Sequence, residues 1–443
     1  MASSEGPTAA KSELVIDGGR AVSGVHKVCG NKNAALPMLA ATLLTDEPVT
    51  LENLPLIEDV RTTLDLLKAI GAEVSLDSAA RRATVRARRI STTALPVALC
   101  EKMRATILFA GPLLARAGEI TIPATGGDPI GRRRIDTHIA GLAALGARHW
   151  RLPDGSGYGF SSESPLHGAD IILDEASVTA TENILMAAAA AEGVTTIYNA
   201  ACEPHVQDLC AMLAALGAKV EGAGTNFIRI TGARRLAGAT VRIGADYIDA
   251  ASYIVAALVT GGALDVVGVG QRDFRVLGRA FAKFGVRWSQ EGDTIRIPAT
   301  QKLAVIDDFG GAIPKIEDGI WPAIPSDLMS VLIVLAIFSE GTALFFEKMF
   351  ESRMYFVDHL INMGAKIVQC DPHRIVVSGS RAPGLSGCRV SSPDIRAGIA
   401  LVIAALGANG RSVIQNAQSI DRGYEDVVRN LGELGAAIER RAS

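Results

Sequence analysis

One phrase recurs six times along the chain: "LLKAIGAEV", "GLAALGARH", "MLAALGAKV", "AFAKFGVRW", "HLINMGAKI" and "NLGELGAAI". Its glycines are Gly71, Gly146, Gly217, Gly285, Gly364 and Gly435, at spacings of 75, 71, 68, 79 and 71 residues. A glycine after an apolar helical stripe is the usual residue for ending a helix in a left-handed turn. One such phrase carries little weight, but six at near-constant spacing mark a repeated structural unit. Any fold for this chain has to be built from six copies of one set of elements.

The flanking residues define that set. Before each phrase stands another helix, a small-residue turn and a strand, as in "MAAAAAEGVTTIYNAACEPHVQDL". After it comes a strand pair, as in "KVEGAGTNFIRITG". The first helices of the units, such as 184–191 and 397–406, are apolar around nearly their whole circumference, which predicts burial on every side. The strands alternate instead: "ATVRARRI" sets Val85 and Ala87 against Arg86 and Arg88, so each sheet has one wet face. Helices inside and sheets outside, three units to a domain, invert the usual α/β layering. Neither GxGxxG nor GxxxxGK[ST] occurs to suggest a dinucleotide or P-loop fold.

The net charge is −3, so no global basic field recruits nucleic acid or an anionic membrane, and anion recognition has to be local. The longest apolar run, 328–338, is too short to span a bilayer. Residues 1–11 are small and polar, without the apolar core of a signal peptide, and read as a disordered tail. The six cysteines form no CxxC and no metal-like pairing with histidine. They read as reduced, mostly buried thiols of a cytoplasmic protein. No motif calls for a metal or cofactor.

Several charged residues sit where a solvated role is hard to assign. Lys32 and Asn33 precede a helix expected from about Ala34; helix N-termini plus a lysine suit phosphate or carboxylate, and a lysine at a turn is the plain alternative. Arg104 in "EKMRATILFAGPLLA" either pairs with a buried acid or points into a site. Asp327 in "IPSDLMSVLIVLA" either caps a very apolar helix or is a buried base. Arg353, Arg396 and Arg422 fall at element junctions; Asp394 and Asp421 are available as partners for the last two. Several arginines together suggest a small, multiply anionic ligand, because guanidinium forks match carboxylate and phosphate oxygens. The loop "TIPATGGDPIGRRRIDTHI" adds Arg133 and Arg134, with Asp128 between glycines and a run of three arginines.

The stretches "GNKNAALPMLAATLLTDEPVTLENLP", "MRATILFAGPLLARAG", "GGDPIGRRRIDTHIAGLAALGA", "SVTATENILMAAAAAEG", "IPSDLMS" and "SIDRGYEDVVRNLGELGA" resemble the UDP-N-acetylglucosamine 1-carboxyvinyltransferase family, from about Ser12 to Arg441. The resemblance implies two inside-out α/β barrel (β-prism) domains, each of three repeats. One spans 32–241 and carries a mobile loop; the other combines 12–31 with 242–443. It implies transfer of the enolpyruvyl group of phosphoenolpyruvate to the sugar 3-hydroxyl, with phosphate released by addition and elimination. This is the first committed step of peptidoglycan synthesis, with small-molecule substrates and a monomer or weak homo-oligomer. The rivals are a 3-phosphoshikimate enolpyruvyl transferase and a non-catalytic sugar-nucleotide-binding paralogue.

By motif position, Lys32, Asn33, Arg133, Arg353, Arg396 and Arg422 would hold phosphoenolpyruvate, with Lys32 also taking part in catalysis. Asp327 would take the proton of the attacking hydroxyl and Asp128 would donate one to C3 or assist product release. The nucleotide sugar would meet Asn33, Arg104, Arg133, Arg134, Ile135, Asp136, Thr137 and Asp327. It would also meet the stretch Glu175, Ala176, Ser177 and Val178, and the backbone at Met349. Three positions depart from the family pattern. Asp128 stands where most members have cysteine, Arg134 where proline is usual, and Glu175 where some relatives have lysine. An ordinary aspartic acid titrates near ~3.9. The donor role therefore requires bound anions to neutralise the arginines and loop closure to desolvate Asp128. Because fosfomycin alkylates the family's cysteine, the Asp128 chain is expected to resist it.

Overall fold

The computed structural model describes residues 12–153 and 155–442; the tail expected over 1–11 lies outside the described residues. The six repeat glycines all adopt left-handed backbone, with φ from 68° to 117°. An L side chain is strained in that region, so each phrase ends its helix at the same point and sends the chain into a strand pair.

The chain forms two compact units. Of the described residues, the first gathers 12–29, 128–132 and 245–442; the second holds 30–127 and 133–244. In the first unit the helices Tyr247–Thr260, Met329–Ile337 and Ile395–Gly407 pack against one another. All nine residues of Met329–Ile337 are buried. Each fully buried aliphatic side chain contributes roughly 1.5–3 kcal/mol by leaving water, so a helix apolar all round is stable only at the centre. Three four-stranded sheets surround these helices. In one of them Ser12–Asp17 lies antiparallel between Arg411–Gln415 and Ala437–Ala442, with Leu14 opposite Ile414 and Ile16 opposite Ile438.

The second unit repeats this plan. Its inner helices are Lys32–Ala41, Arg104–Phe109 continuing into Ala110–Ala117, and Val178–Ala189. Two four-stranded sheets and one three-stranded sheet cover them. The strand Arg82–Arg86 buries Ala83 and Val85 and leaves Arg82 to water, the expected alternation. One recurrent element is not apparent from the residue pattern: a short edge strand pairing in parallel with the strand between the two helices of a unit. Asp170–Ile172 does this beside Val194–Tyr198, and Thr240–Arg242 beside Val49–Glu52. Three residues are too few for alternation to register, so only the fold reveals them. In the three-stranded sheet this element is reduced to one parallel bridge, Ala94 with Thr121.

Among the described residues no helix is long and apolar enough to cross a membrane. Four of the cysteines are buried; Cys370 is exposed and Cys388 intermediate. Burial pushes the Cys100 thiol up to about 11 and Cys210 up to about 12, so both stay protonated at neutral pH.

Candidate functional site

In the second unit, Asn31 caps the helix Lys32–Ala41, its side chain accepting from the Asn33 and Ala34 amides at 2.8 and 3.1 Å. The helix therefore begins at Lys32, two residues earlier than expected, and an Asn before an apolar run is the signal for it. Lys32 is not a solvated turn residue. It is buried, and its Nζ lies 2.8 Å from Oδ2 of buried Asp59. That pairing lets a lysine be held charged out of water. Asp59 itself carried no sequence signal beyond its place in a helix first turn.

Arg104 opens the Arg104–Phe109 turn of 3-10 helix. It is half-buried and meets no buried acid: its guanidinium donates to the backbone carbonyls of Arg133 and Arg134, the latter at 3.2 Å. Arg104 thereby pins the backbone of the arginine run, and burial lowers its pKa from the ordinary value. Arg134 points elsewhere and pairs with Asp136 at 2.6 Å on the surface. Ile135 precedes the helix Asp136–Ala144. Thr137 Oγ1 donates to Asp174 and Glu175 at 2.8 and 3.2 Å, which joins the start of that helix to the stretch 175–178. There Ala176 is buried, and Ser177 caps the helix that Val178 begins. Glu175 is thus drawn towards Thr137.

Below these residues lies a polar core. His138 contacts Thr179 at 3.0 Å and Asn183 at 2.9 Å, and Asn183 also donates to the Ile107 carbonyl at 2.7 Å. Burial, with a smaller contribution from the Arg104 charge, pushes His138 down to about 3. A folded value below the unfolded ~6.5 means the stability is present above pH ~6.5 and is lost as pH falls towards 3, by at most about 1.4 kcal/mol per pH unit. His138→Gln therefore shows a shallower decline of melting temperature than wild type between pH 6.5 and 4. Equal slopes would remove this histidine from the acid sensitivity.

In the first unit Arg353 and Arg396 converge on Asp327. Arg353 Nη2 reaches its Oδ1 at 3.0 Å and Arg396 Nη2 its Oδ2 at 3.1 Å. Asp327 lies in the short turn Ser326–Leu328, whose cap position is Pro325 and carries no side-chain bond, so the capping reading fails. Both arginines are buried, whereas the Asp327 carboxylate is a quarter exposed. Two guanidinium groups gathered on one partly open carboxylate make a site that an incoming dianion can share.

Neither Asp394 nor Asp421 pairs with the arginine beside it in sequence. Asp394 does not pair with the Arg396 side chain; it caps the helix Ile395–Gly407, accepting from the Arg396 and Ala397 amides at 2.8 and 2.9 Å. Arg396 lies 5.5 Å over the Tyr424 ring, and its pKa is raised, with Asp327 and Tyr424 outweighing burial. Asp421 binds Arg440 at 2.7 Å, which leaves Arg422 to Asp128 at 2.6 Å. Chain proximity suggested the wrong acid because the neighbouring side chains diverge at the turn Ala417–Arg422.

The loop around Asp128 is held closely. Ser352 N donates to the Ile130 carbonyl at 3.0 Å and Arg132 N to Glu351 at 3.2 Å. Gly131 has φ +141°, and a Cβ there would meet Glu351 Oε2 at 2.2 Å, so only glycine allows this approach. Arg132 is exposed and Arg133 half-buried. Met349 is exposed, and its amide donates to Glu347 at 3.1 Å, so that N–H is committed within the protein. Among the described residues no group of three or more His, Cys, Asp or Glu could hold a metal ion.

Residues 16–431 match the family profile of EPSP synthase (3-phosphoshikimate 1-carboxyvinyltransferase). A UDP-N-acetylglucosamine 1-carboxyvinyltransferase of Treponema pallidum (strain Nichols) is 52% identical over 96% of this chain and 98% of its own length. One of Bradyrhizobium diazoefficiens is 49% identical over 97% and 98%. The fold matches the solved enolpyruvyl transferase NikO from Streptomyces tendae with TM-score 0.86 and 24% identity, over 98% of this chain and 100% of that one. It also matches EPSP synthase of Acinetobacter baumannii with TM-score 0.75 and 18% identity, over 97% and 100%. The chain belongs to the enolpyruvyl transferase family, among the UDP-N-acetylglucosamine 1-carboxyvinyltransferases.

Proposed function

We propose that this chain transfers the enolpyruvyl group of phosphoenolpyruvate to the 3-hydroxyl of UDP-N-acetylglucosamine, releasing phosphate, in the cytoplasm and as the committing step of peptidoglycan synthesis. The observation that carries this reading is Asp327 clasped by Arg353 and Arg396. In the free protein both guanidinium groups bond the one carboxylate, which balances only one of their two charges. When phosphoenolpyruvate arrives, its phosphate and carboxylate offer the arginines stronger bidentate partners, and Asp327 is released to accept the sugar hydroxyl proton.

The hydroxyl oxygen then bonds to C2 while C3 takes a proton, giving a tetrahedral adduct. Loss of a C3 proton restores the double bond as the C2–O bond to phosphate breaks. Lys32, Asn33, Arg133 and Arg422 are the further residues that hold phosphoenolpyruvate, and Asn33 also meets the sugar nucleotide. Asp128 donates to C3 or assists product release. To do so it has to leave Arg422, and phosphate binding to that arginine provides the exchange. Arg104 acts through the Arg133 and Arg134 carbonyls, setting the loop 133–137 beside the stretch 175–178 for the nucleotide. The protein acts as a monomer or weak homo-oligomer on small-molecule substrates.

Phosphate release from phosphoenolpyruvate decides the reading. UDP-N-acetylglucosamine supports turnover, shikimate 3-phosphate does not, and Asp128→Asn releases phosphate at least about 100-fold more slowly, as loss of an acid–base group predicts. Turnover with shikimate 3-phosphate alone would assign the sister activity. Tight binding of the sugar nucleotide without turnover would make the chain a non-catalytic binder.

A further inference from the structure

Glu347 follows the strand Gly341–Phe346 and is wholly buried. Its carboxyl accepts from Ser326 Oγ at 3.0 and 2.8 Å, and from the Met349 and Phe350 amides at 3.1 Å each. Ser326 precedes Asp327, and Arg353 Nε lies 4.0 Å from Glu347 Oε2. Glu347 therefore touches both segments that present the candidate base and one of its arginines.

A second wholly buried acid, Asp318, lies at the same turn, bonded to the amide of the residue after Glu347. Its Oδ1 accepts from the Lys348 amide, while its Oδ2 is buried with no conventional donor among the described residues. Arg353 is committed to Asp327 at 3.0 Å. The Lys348 ammonium turns to Glu317 at 3.6 Å, and His373 meets the Glu347 backbone carbonyl at 2.7 Å rather than its carboxyl. Arg353, shared with Asp327 through Nη2, offers Glu347 one charge at 4.0 Å against two buried carboxyls, so a further donor is needed between them.

We propose that Asp318 and Glu347 share one proton, and that this hydrogen-bonded acid pair is the positioning element that sets Asp327 and Arg353 for the reaction. The role in the reaction rests on the function proposed above; the shared proton does not. Burial first, and then the Asp318 carboxyl, push Glu347 up to about 8, with Arg353 opposing. Raised above the unfolded ~4.3, Glu347 contributes stability that is complete below that value and is lost as pH rises through about 8.

Three variants test this: Glu347→Gln and Asp318→Asn, which each place an amide donor between the two oxygens, and Glu347→Ala, which removes the contact. The infrared carbonyl band of a protonated carboxyl, present in wild type at pH 7, weakens in both amide variants. Wild-type kcat for phosphate release falls above about pH 8, by about tenfold per pH unit. The amide variants lose that alkaline limb. Glu347→Ala lowers kcat more than it changes KM at every pH, and Glu347→Gln rescues most of that loss. An unchanged band, or an alkaline limb that persists in both amide variants, would overturn the proposal. Absence of turnover in wild type would instead sink the activity assignment, and the band and the pH slope of melting would still decide the shared proton.

Discussion

Asp327→Asn lowers kcat by about 10²–10⁴-fold, the span a general base supplies, while phosphoenolpyruvate still binds. The expectation follows from the geometry around the carboxylate. Arg353 and Arg396 each bond one of its oxygens, both guanidinium groups are buried, and neither has another acid as close. An asparagine keeps one acceptor oxygen but cancels the charge, so two cations are left facing each other. Breaking a buried pair of this kind costs about 3–5 kcal/mol. The free variant therefore melts at a lower temperature than wild type. An anion that occupies the vacated arginines restores stability by mass action, so phosphoenolpyruvate or inorganic phosphate raises the variant's melting temperature more than that of wild type. Melting curves with and without phosphate, beside single-turnover kinetics, check both halves. A kcat within about tenfold of wild type would remove Asp327 from the base role.

Fosfomycin leaves the wild-type protein active after prolonged incubation, whereas Asp128→Cys is inactivated progressively and gains the mass of one drug molecule. A thiolate opens the epoxide readily, and a carboxylate is a far poorer nucleophile. Here the carboxylate is further occupied by Arg422 at 2.6 Å. In the cysteine variant that same guanidinium favours the thiolate, which is the reactive form. Intact mass and residual phosphate release after timed exposure measure the effect. Potent time-dependent inhibition of the wild type would contradict it. The pH profiles of the two forms also differ if residue 128 carries a proton in turnover; superimposable kcat profiles would show that it does not.

These expectations draw unequally on sequence and fold. Arg353, Arg396 and Arg422 stand out as charges at element junctions: Arg353 lies between a strand and a helix, Arg396 opens an inner helix, and Arg422 ends a 3-10 turn. Their partners could not be read in the same way. Asp394 and Asp421 are two and one residues from the arginines they were matched with, yet the first caps a helix and the second bonds Arg440. Arg396 instead finds Asp327, 69 residues away, and Arg422 finds Asp128, 294 residues away. Short-range spacing is informative where backbone geometry sets it, as at Asn31 and Ser177, whose side chains cap the very next helix. It is uninformative for long flexible side chains, whose reach exceeds the distance between neighbouring elements.

Asp59, Asp318 and Glu347 had no local signal at all. Each is one acid in an ordinary stretch, and becomes significant only because burial removes water and sets it against particular neighbours. The layering, by contrast, is written in the residues themselves. A helix apolar on every side has nowhere to go but the centre, a strand that alternates has one wet face, and a glycine after each helix permits the left-handed turn. Six copies of that pattern determine a fold without reference to distant contacts. Which charges meet, which acid keeps a proton and which arginine stays charged out of water were decided by tertiary structure alone. Electrostatic energies depend on distance and burial, and neither exists until the chain has folded.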